Sequence, residues 1–361
     1  MLTLRALPPH GGDANALLRA YHDGLLRYWT PVQRLAAHML FAIGRGGWSR
    51  GERLYLGQAV RAQGLSMRDR KGLHRLINPA AFPLAANPLK NKQLFARVAA
   101  GLPLPDACDL DADDLDIWLA RQSDIIAKPS YRSKGQGVDR FIRQGDDWRG
   151  RDRTMDGDAL AGHLRRLWAH GGVIQTRLPT HLALADLSPG ALPTLRIVTC
   201  LNEEGVPEIC DMALRLSAGG PRPVDNFNAG NLVLGVDADG RCGVAWRSGR
   251  HRPPSRHRRH PVTGVAIEGA ILPDHAEARA LAIRAHERFR HGFTLIGWDI
   301  GLTAQGPVLI EGNWNPGTDI VQLVNGRGVS DSRLGALYRH ALGDLREADW
   351  RDAWAVQRDR R

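Results

Sequence analysis

The stretch LIGWDIGLTAQGPVLIEGNWNPGTDI, Leu295–Ile320, decides how the chain is interpreted. It reads as two mostly apolar strands joined by a turn around Gln305. Side chains alternate between the two faces of a strand, so Glu311 and Asn313 share a face. If the hairpin folds about Gln305, Asp299 lies directly opposite Glu311. The hairpin therefore predicts two carboxylates and one amide on the same surface of a buried sheet.

This arrangement of acids requires an explanation. Two ionised carboxylates about 5 Å apart repel each other by roughly 3 kcal/mol at an effective dielectric constant of about 20. A raised pKa on one acid would relieve the repulsion. A divalent cation between the acids would also relieve it, and three oxygen donors suit Mg²⁺. A solvated strand face followed by a loop asparagine is the alternative that the hairpin alone leaves open.

Composition sets broad limits on the function. The 361 residues suffice for two or three domains or one large α/β body, and the net charge of +11 favours an anionic partner without naming it. No apolar run approaches the roughly 18 residues of a membrane span, so none is expected. The first residues lack the apolar core of a signal peptide, which favours the cytoplasm. The four cysteines lack metal-binding spacing and are predicted to be buried thiols.

The chain divides into four predicted regions at changes in pattern. A basic, helical beginning is interrupted by the proline-rich segment NPAAFPLAANP, after which strands and helices alternate. The predicted regions are a helical N-terminal region (1–90), a small subdomain with a glycine loop (91–180), a large subdomain with the metal site (181–330) and a basic C-terminal helix or helix pair (331–361).

A glycine-bearing loop follows the predicted strand DIIAKPS. Lys128 ends this strand, and Ser130, Ser133, Gly135 and Gly137 follow it. Glycines let backbone N–H groups approach phosphate oxygens closely, and the lysine adds a positive charge. The order of residues differs from that of a P-loop. A phosphate-binding loop and a plain hairpin turn both remain open from these residues alone.

Two arginines interrupt strands that are otherwise apolar. Arg196 lies in LPTLRIVTC, and Arg215 lies in DMALRLS. A buried charge without compensation is costly, so each arginine needs an anion nearby. A ligand could supply that anion, and so could Asp211 or Asp225.

The order of these features resembles the ATP-grasp superfamily over about residues 85 to 325. A lysine before a short helix is followed by a strand lysine with a glycine loop, the strand VIQTRL, strand arginines and an Asp…Glu-x-Asn hairpin. The sequence is most similar to the sugar-transfer-associated ATP-grasp group, found beside exopolysaccharide and cell-surface glycan genes. The stretches that carry this closer resemblance are LPTLRIVT, MALRL, VDNF, HPVTG and IGWDIGLTAQGPVLIEGN. The resemblance implies an α+β (α/β) fold in which two α+β subdomains grip ATP, with a helical N-terminal region beside them.

The resemblance also implies nucleotide contacts. Residues 130–137 would close over the triphosphate as a lid, and residues 175–178 would form the hinge strand that faces adenine. His181 stands near the place where many relatives have an acidic ribose contact, and Asp186 is the other candidate for that contact. The implied cofactor-binding residues are Lys92, Lys128, Ser130, Ser133, Gly135, Gly137, Gln175, Thr176, Arg177, Leu178 and His181.

The implied chemistry is ligation of a carboxylate to an amine. Asp299, Glu311 and Asn313 would bind Mg²⁺, or Mn²⁺ in its place, and Arg196 and Arg215 would face the γ-phosphate or an acyl phosphate. The substrates would be a small-molecule or saccharide carboxylate and an amine or amino acid. A phosphotransferase on the same fold and a non-catalytic nucleotide- or polyanion-binding protein are the alternatives.

The densest run of basic residues lies at Arg247–His260, in RSGRHRPPSRHRRHP. It is predicted to be a loop. We expect it to contact an anionic acceptor, since it lies outside the segments attributed to ATP. A solvated loop is the alternative, and no stable complex with nucleic acid is expected.

Overall fold

Two antiparallel sheets flanked by helices form the predicted α+β architecture. The computed structural model describes residues 15–35, 47–130, 137–219, 227–249 and 252–358. The α-helices with both ends in this part of the chain are α1 (Ala16–Tyr28), α2 (Arg50–Tyr55), α3 (Gln58–Ala62), α4 (Met67–Ile77), α5 (Lys92–Val98), α6 (Leu115–Ala120), α7 (Gly157–Ala169), α8 (His275–Phe289), α9 (Thr318–Asn325), α10 (Arg333–Gly343) and α11 (Glu347–Arg358). Among the described residues, none of the helices is both long and apolar enough to cross a membrane.

The N-terminal helices pack against the C-terminal ones. Leu17, Tyr21 and Leu25 recur at four-residue spacing on α1 and are all buried. They share an apolar core with α4, α10 and α11. Asn15 caps α1 by accepting a hydrogen bond from Leu18 N. Helix α1 is thus packed against helices from near the other end of the described chain.

The small sheet has six strands in the order β1-β6-β2-β3-β4-β5. Helices α6 and α7 contribute to its apolar core, which includes Trp118, Phe141 and Leu160. Its strands are β1 (Ala107–Cys108), β2 (Asp124–Lys128), β3 (Asp139–Gln144), β4 (Asp147–Arg149), β5 (Thr154–Met155) and β6 (Val173–Thr176).

The large sheet has seven strands in the order β11-β10-β9-β8-β7-β12-β13. Helix α8 buries Leu281 and Phe289 against it, in a core that includes Trp298. Its strands are β7 (Thr194–Leu201), β8 (Pro207–Leu216), β9 (Leu232–Gly235), β10 (Ala245–Gly249), β11 (Arg252–His257), β12 (Leu295–Thr303) and β13 (Gly306–Asn313). The exact boundaries of the four predicted regions stay predictions.

The hairpin β12–β13 pairs Asp299 with Glu311, as predicted. Two irregularities produce this register. The turn contains only Ala304 and Gln305, because Thr303 already pairs with the residue after Gln305. A bulge at Ile310 adds one residue to β13 and restores the pairing expected for a turn centred on Gln305.

The prediction of a loop at residues 247–260 is wrong. Residues 252–257 form β11, which pairs with β10 at the outer edge of the large sheet. An edge strand has N–H groups that need no partner in the sheet, so it tolerates Pro253 and Pro254.

The four cysteines are free thiols, as predicted. Three are buried, and Cys210 is half-buried. In the β7–β8 hairpin, Cys200 pairs with Glu208, and Cys210 falls in a bulge. Burial raises the pKa of Cys200 to about 12, so this thiol stays protonated at neutral pH.

Candidate functional site

A cleft of about 760 Å³ lies between the two sheets. Its lining comes from β2 and β6 of the small sheet, from β7, β8 and β13 of the large sheet, and from α4 and the segment that leads into α5. Eight cationic side chains line it among the described residues, against the two carboxylates of Glu311 and Asp319. The cations are Arg70, Lys71, Arg75, Lys90, Lys92, Lys128, Arg196 and Arg215. The cleft lining is therefore rich in positive charge, which favours an anionic ligand.

Three lysines gather on one wall of this cleft. Lys128 ends β2, and Lys92 is the first residue of α5. Desolvation lowers the pKa of Lys128, which the charge of Glu311 partly offsets; Lys90 shows the same two effects. A lowered lysine pKa in a cleft indicates a site that gains from a bound anion. Lys90 was not predicted as a site residue, although the segment LKNK carries two lysines two residues apart.

Asp299 lies at the centre of an ion-pair network on the opposite wall. Arg196 Nη2 and Arg215 Nη2 each donate to Asp299 Oδ2 at 2.9 Å, and Arg196 Nε donates to Oδ1. Arg215 also donates to Thr194 Oγ1. Burial alone would raise the pKa of Asp299, but the two arginines hold it well below its usual range. Asp299, rather than Asp211, is thus the anion that both strand arginines contact; Asp225 lies outside the described residues.

The predicted metal ligands lie together but differ in their contacts. Glu311 and Asn313 point to the same side of β13, line the cleft, and have Oε1 and Nδ2 3.5 Å apart. Their oxygens are hard donors that suit Mg²⁺. The carboxylate of Asp299 is instead held by the arginines, and no three acidic, histidine or cysteine side chains cluster as a metal site in the described part of the chain. The residues therefore fit a divalent cation at Glu311 and Asn313 first, with the metal itself remaining a prediction.

The predicted hinge strand is β6 with the residues that follow it. Gln175 lines the cleft and pairs with Ala107 and Ile126 on the neighbouring strands. The hydroxyl of Thr176 instead lies 3.0 Å from Asp106 Oδ2 and 2.9 Å from Gln122 Oε1, which share its single proton. Only the first of these two side chains is thus placed to contact a ligand in the cleft.

The three remaining residues of this predicted group lie apart from the cleft lining that the described residues form. Arg177 is 3.8 Å from the carboxylate of Asp124, and Leu178 is half-buried. His181 Nδ1 accepts a hydrogen bond from Ala183 N and starts a short 3₁₀ turn. Their contacts with adenine and ribose stay predictions, as does the alternative contact through the exposed Asp186.

The predicted lid is described only at its two ends. Ser130 is buried, and its Oγ accepts a hydrogen bond from Lys92 N at 3.3 Å. Gly137 has a φ of 72°, which glycine adopts readily. Ser133 and Gly135 lie outside the described residues. The N-terminal end of the predicted lid, at Ser130, is thus hydrogen-bonded to the first residue of α5.

Helix α4 holds the loop that follows β13, a connection that the sequence analysis missed. Three side chains at four-residue spacing, which places them on one helix face, bind three consecutive loop residues. These contacts are Arg70 Nη1 to Pro316 O at 2.8 Å, His74 Nδ1 to Asn315 Oδ1 at 3.0 Å and Asn78 Nδ2 to Trp314 O at 2.7 Å. Burial lowers the pKa of His74 well below its usual range, so its ring is neutral. The four-residue spacing of Arg70, His74 and Asn78 is visible in the sequence. The residues that they contact lie more than 230 positions further along the chain.

The two sheets and the cleft between them are those of the ATP-grasp class of proteins. A family model described as sugar-transfer associated ATP-grasp matches residues 70–336. The chain belongs to that family, as the resemblance indicated. The matched range includes Arg70, Lys71 and Arg75 of α4 at one end and the cleft residues of β13 towards the other.

Solved structures of ligases resemble the chain at low identity. An L-amino acid ligase from Bacillus licheniformis is 12% identical with a TM-score of 0.42, and the match covers 79% of this chain and 55% of that one. The ATP-grasp ligase PsnB, complexed with a minimal precursor, is 18% identical with a TM-score of 0.35, over 74% of this chain and 64% of that one. A D-alanine–D-alanine ligase from Helicobacter pylori is 12% identical with a TM-score of 0.38, over 73% and 60%. The chain thus spans less than two thirds of the length of these structures. The comparison with curated proteins gave no match.

Proposed function

We propose that this protein is an ATP-dependent carboxylate–amine ligase that acts through an acyl phosphate. The observation that carries the proposal is the row Arg196–Asp299–Glu311, which runs across three paired strands. Its two ends, Arg196 and Glu311, line the same cleft as Lys92 and Lys128. Such a row offers positive and negative groups to a nucleotide, its metal and a carboxylate at once.

The lysines are proposed to bind the phosphates of ATP. The positive charge of Lys92 contributes to lowering the pKa of both Lys128 and Lys90. A triphosphate between them would remove this repulsion. Gln175 is proposed to lie beside the base, on the part of the cleft that β6 forms.

Glu311 and Asn313 are proposed to hold Mg²⁺, or Mn²⁺ in its place. Asp299 lies opposite Glu311 on the neighbouring strand β12. When bound, the metal would neutralise charge on the phosphates. Asp299 orients Arg196 and Arg215, whose guanidinium groups line the cleft. These two arginines are proposed to bind the γ-phosphate and, after its transfer, the acyl phosphate.

The proposed reaction has two displacements. A carboxylate oxygen of the substrate attacks the γ-phosphorus, the bond to ADP breaks, and an acyl phosphate forms. The nitrogen of an amine then attacks the acyl carbon, phosphate leaves, and the amine loses a proton as the amide forms. The chain's own groups position the reactants and balance charge, so no side-chain nucleophile is required. The acid is proposed to be a saccharide or a related small acid, in keeping with the family's description, and the cytoplasm, which contains ATP, is the proposed location.

A product screen tests this proposal. Purified protein is incubated with ATP, Mg²⁺, mixed amino acids and candidate acidic saccharides, and products are identified by mass spectrometry. The expected result is ADP, phosphate and an amide, with phosphate release that depends on the amine. A phosphorylated saccharide formed without amine would identify a phosphotransferase instead, and nucleotide binding without turnover would identify a binding protein.

A further inference from the structure

The part of the cleft that α4 forms has no function in the proposed contacts with ATP. Arg70, Lys71 and Arg75 line it, and Asp319 is the one carboxylate among the described lining residues there. ATP bound to one divalent cation carries a net charge of about −2. The described cleft lining carries eight cationic side chains and two carboxylates, so it remains positively charged when the nucleotide and its cation are bound. This remaining charge favours a second anion.

Arg70 is a buried side chain of this wall with incompletely satisfied donors. The residue is 8% exposed, and Nη1 donates to Pro316 O at 2.8 Å. Its Nε is buried without a hydrogen-bond partner. Burial lowers the pKa of Arg70, the charge of Asp319 offsets part of this, and the charge of Arg196 adds to the lowering. A buried guanidinium whose donors are incompletely satisfied is costly to the fold, so a carboxylate that pairs with the part of Arg70 lining the cleft would stabilise it.

The loop after β13 comes close to the guanidinium of Arg70. A Cβ placed on Gly317 would lie 3.5 Å from Arg70 Nη1 and 2.7 Å from Asp319 Oδ1. Glycine at this position thus avoids a clash with the carboxylate of Asp319. A planar guanidinium pairs well with a carboxylate, because the two groups match in geometry.

We propose that Arg70 is the centre of an anion subsite that binds a second carboxylate of an acidic saccharide, whose first carboxylate is phosphorylated beside Arg196 and Arg215. This inference rests on the proposed function and specifies its substrate class. The saccharide then bridges the α4 wall and the β7–β8 wall of one cleft. The contact distinguishes an acid with two negative groups from an acid with one.

A matched pair of six-carbon sugar acids tests the subsite. D-glucuronate carries one carboxylate, and D-glucarate carries two. Their affinities are measured by calorimetry on protein saturated with Mg²⁺ and the non-hydrolysable analogue AMP-PNP. Wild-type protein is expected to bind glucarate about tenfold tighter or more. Arg70→Met is expected to remove this preference while the affinity for AMP-PNP changes less than about twofold.

Arg68→Met is the matched control, because it removes an exposed arginine from the same helix. It is expected to keep the preference for glucarate. The triple variant R256A/R258A/R259A tests the edge hairpin, whose arginines are exposed and lie outside the described cleft lining. Loss of the preference in the triple variant, with the preference intact in Arg70→Met, would place the acid at the hairpin and overturn the proposal.

Arg70→Lys keeps the inference testable if Arg70→Met fails to fold. Lysine retains the charge but lacks the planar pair of donors, so part of the preference for glucarate should disappear. A nucleotide-binding Arg70→Lys protein with the full preference would contradict the subsite. Wild-type protein that binds AMP-PNP but does not distinguish the two acids would overturn the subsite alone, whereas failure to bind AMP-PNP would overturn the proposed function.

Discussion

Arg196 and Asp299 face each other directly on the paired strands β7 and β12, and two side-chain hydrogen bonds join them. On its other side, Asp299 faces Glu311. The repulsion expected between the two acids is therefore offset by an arginine from the next strand, and Arg215 contributes a second positive charge. Neither a raised pKa on Asp299 nor a metal is needed to keep this pair of acids in the fold.

Replacing Asp299 with Asn tests how strongly the pair stabilises the fold. The substitution leaves Arg196 and Arg215 without their shared anion inside the protein. Breaking one partner of a buried ion pair costs about 3–5 kcal/mol. We expect urea denaturation to show a loss of unfolding free energy in that range for D299N. The exposed control E287Q should change it by less than about 0.5 kcal/mol, and an equally stable D299N would contradict the network.

Glu311→Gln tests the function of Glu311 without disturbing the network. Glu311 is half-buried and lies at the surface of the cleft, so its loss of charge should leave the free energy of unfolding nearly unchanged. We expect amine-dependent phosphate release to fall at least about 100-fold and the gain in AMP-PNP affinity on adding Mg²⁺ to disappear. A variant that keeps full activity would show that Glu311 binds no metal.

The hairpin shows how far local rules reach. Alternation along a strand and a turn near Gln305 predicted that Asp299 and Glu311 would pair, and the structure pairs them. A two-residue turn and the bulge at Ile310 compensate for each other, and no pattern in the sequence indicated either one.

The partners of the site residues could not be read in the same way. Asp299 meets Arg196 across 103 residues of sequence, and Arg70 reaches Pro316 across 246. Such contacts depend on which strands and helices become neighbours. Spacing along one element predicts a face of that element but not what covers it. The order of motifs along the chain was informative because it indicated a family. Membership of a family specifies a fold, and the fold specifies which strands and helices are neighbours.

Hydrogen exchange tests the predicted lid at residues 130–137. Ser130 ties one end of this segment to Lys92 N, and Gly137 at the other end adopts a positive φ. If backbone N–H groups between these ends bind phosphate oxygens, AMP-PNP with Mg²⁺ should slow their exchange. The hairpin β3–β4, which lies beyond the segment, serves as an internal control and should exchange at an unchanged rate. Unaltered exchange across 130–137 in nucleotide-saturated protein would show that no lid closes.

Asp211 gives the fold a pH dependence that is separate from the site. It is 7% exposed and accepts a hydrogen bond from Asn325 Nδ2, and burial raises its pKa to about 6. Since the folded state binds the proton more tightly, this stabilisation is complete below the unfolded pKa and is lost as the pH rises through about 6. Relative to the neutral D211N variant, wild-type protein should lose up to about 3 kcal/mol between pH 4 and pH 7. Urea denaturation at both pH values measures this, with the exposed D158N as control; parallel curves for wild type and D211N would contradict the raised pKa.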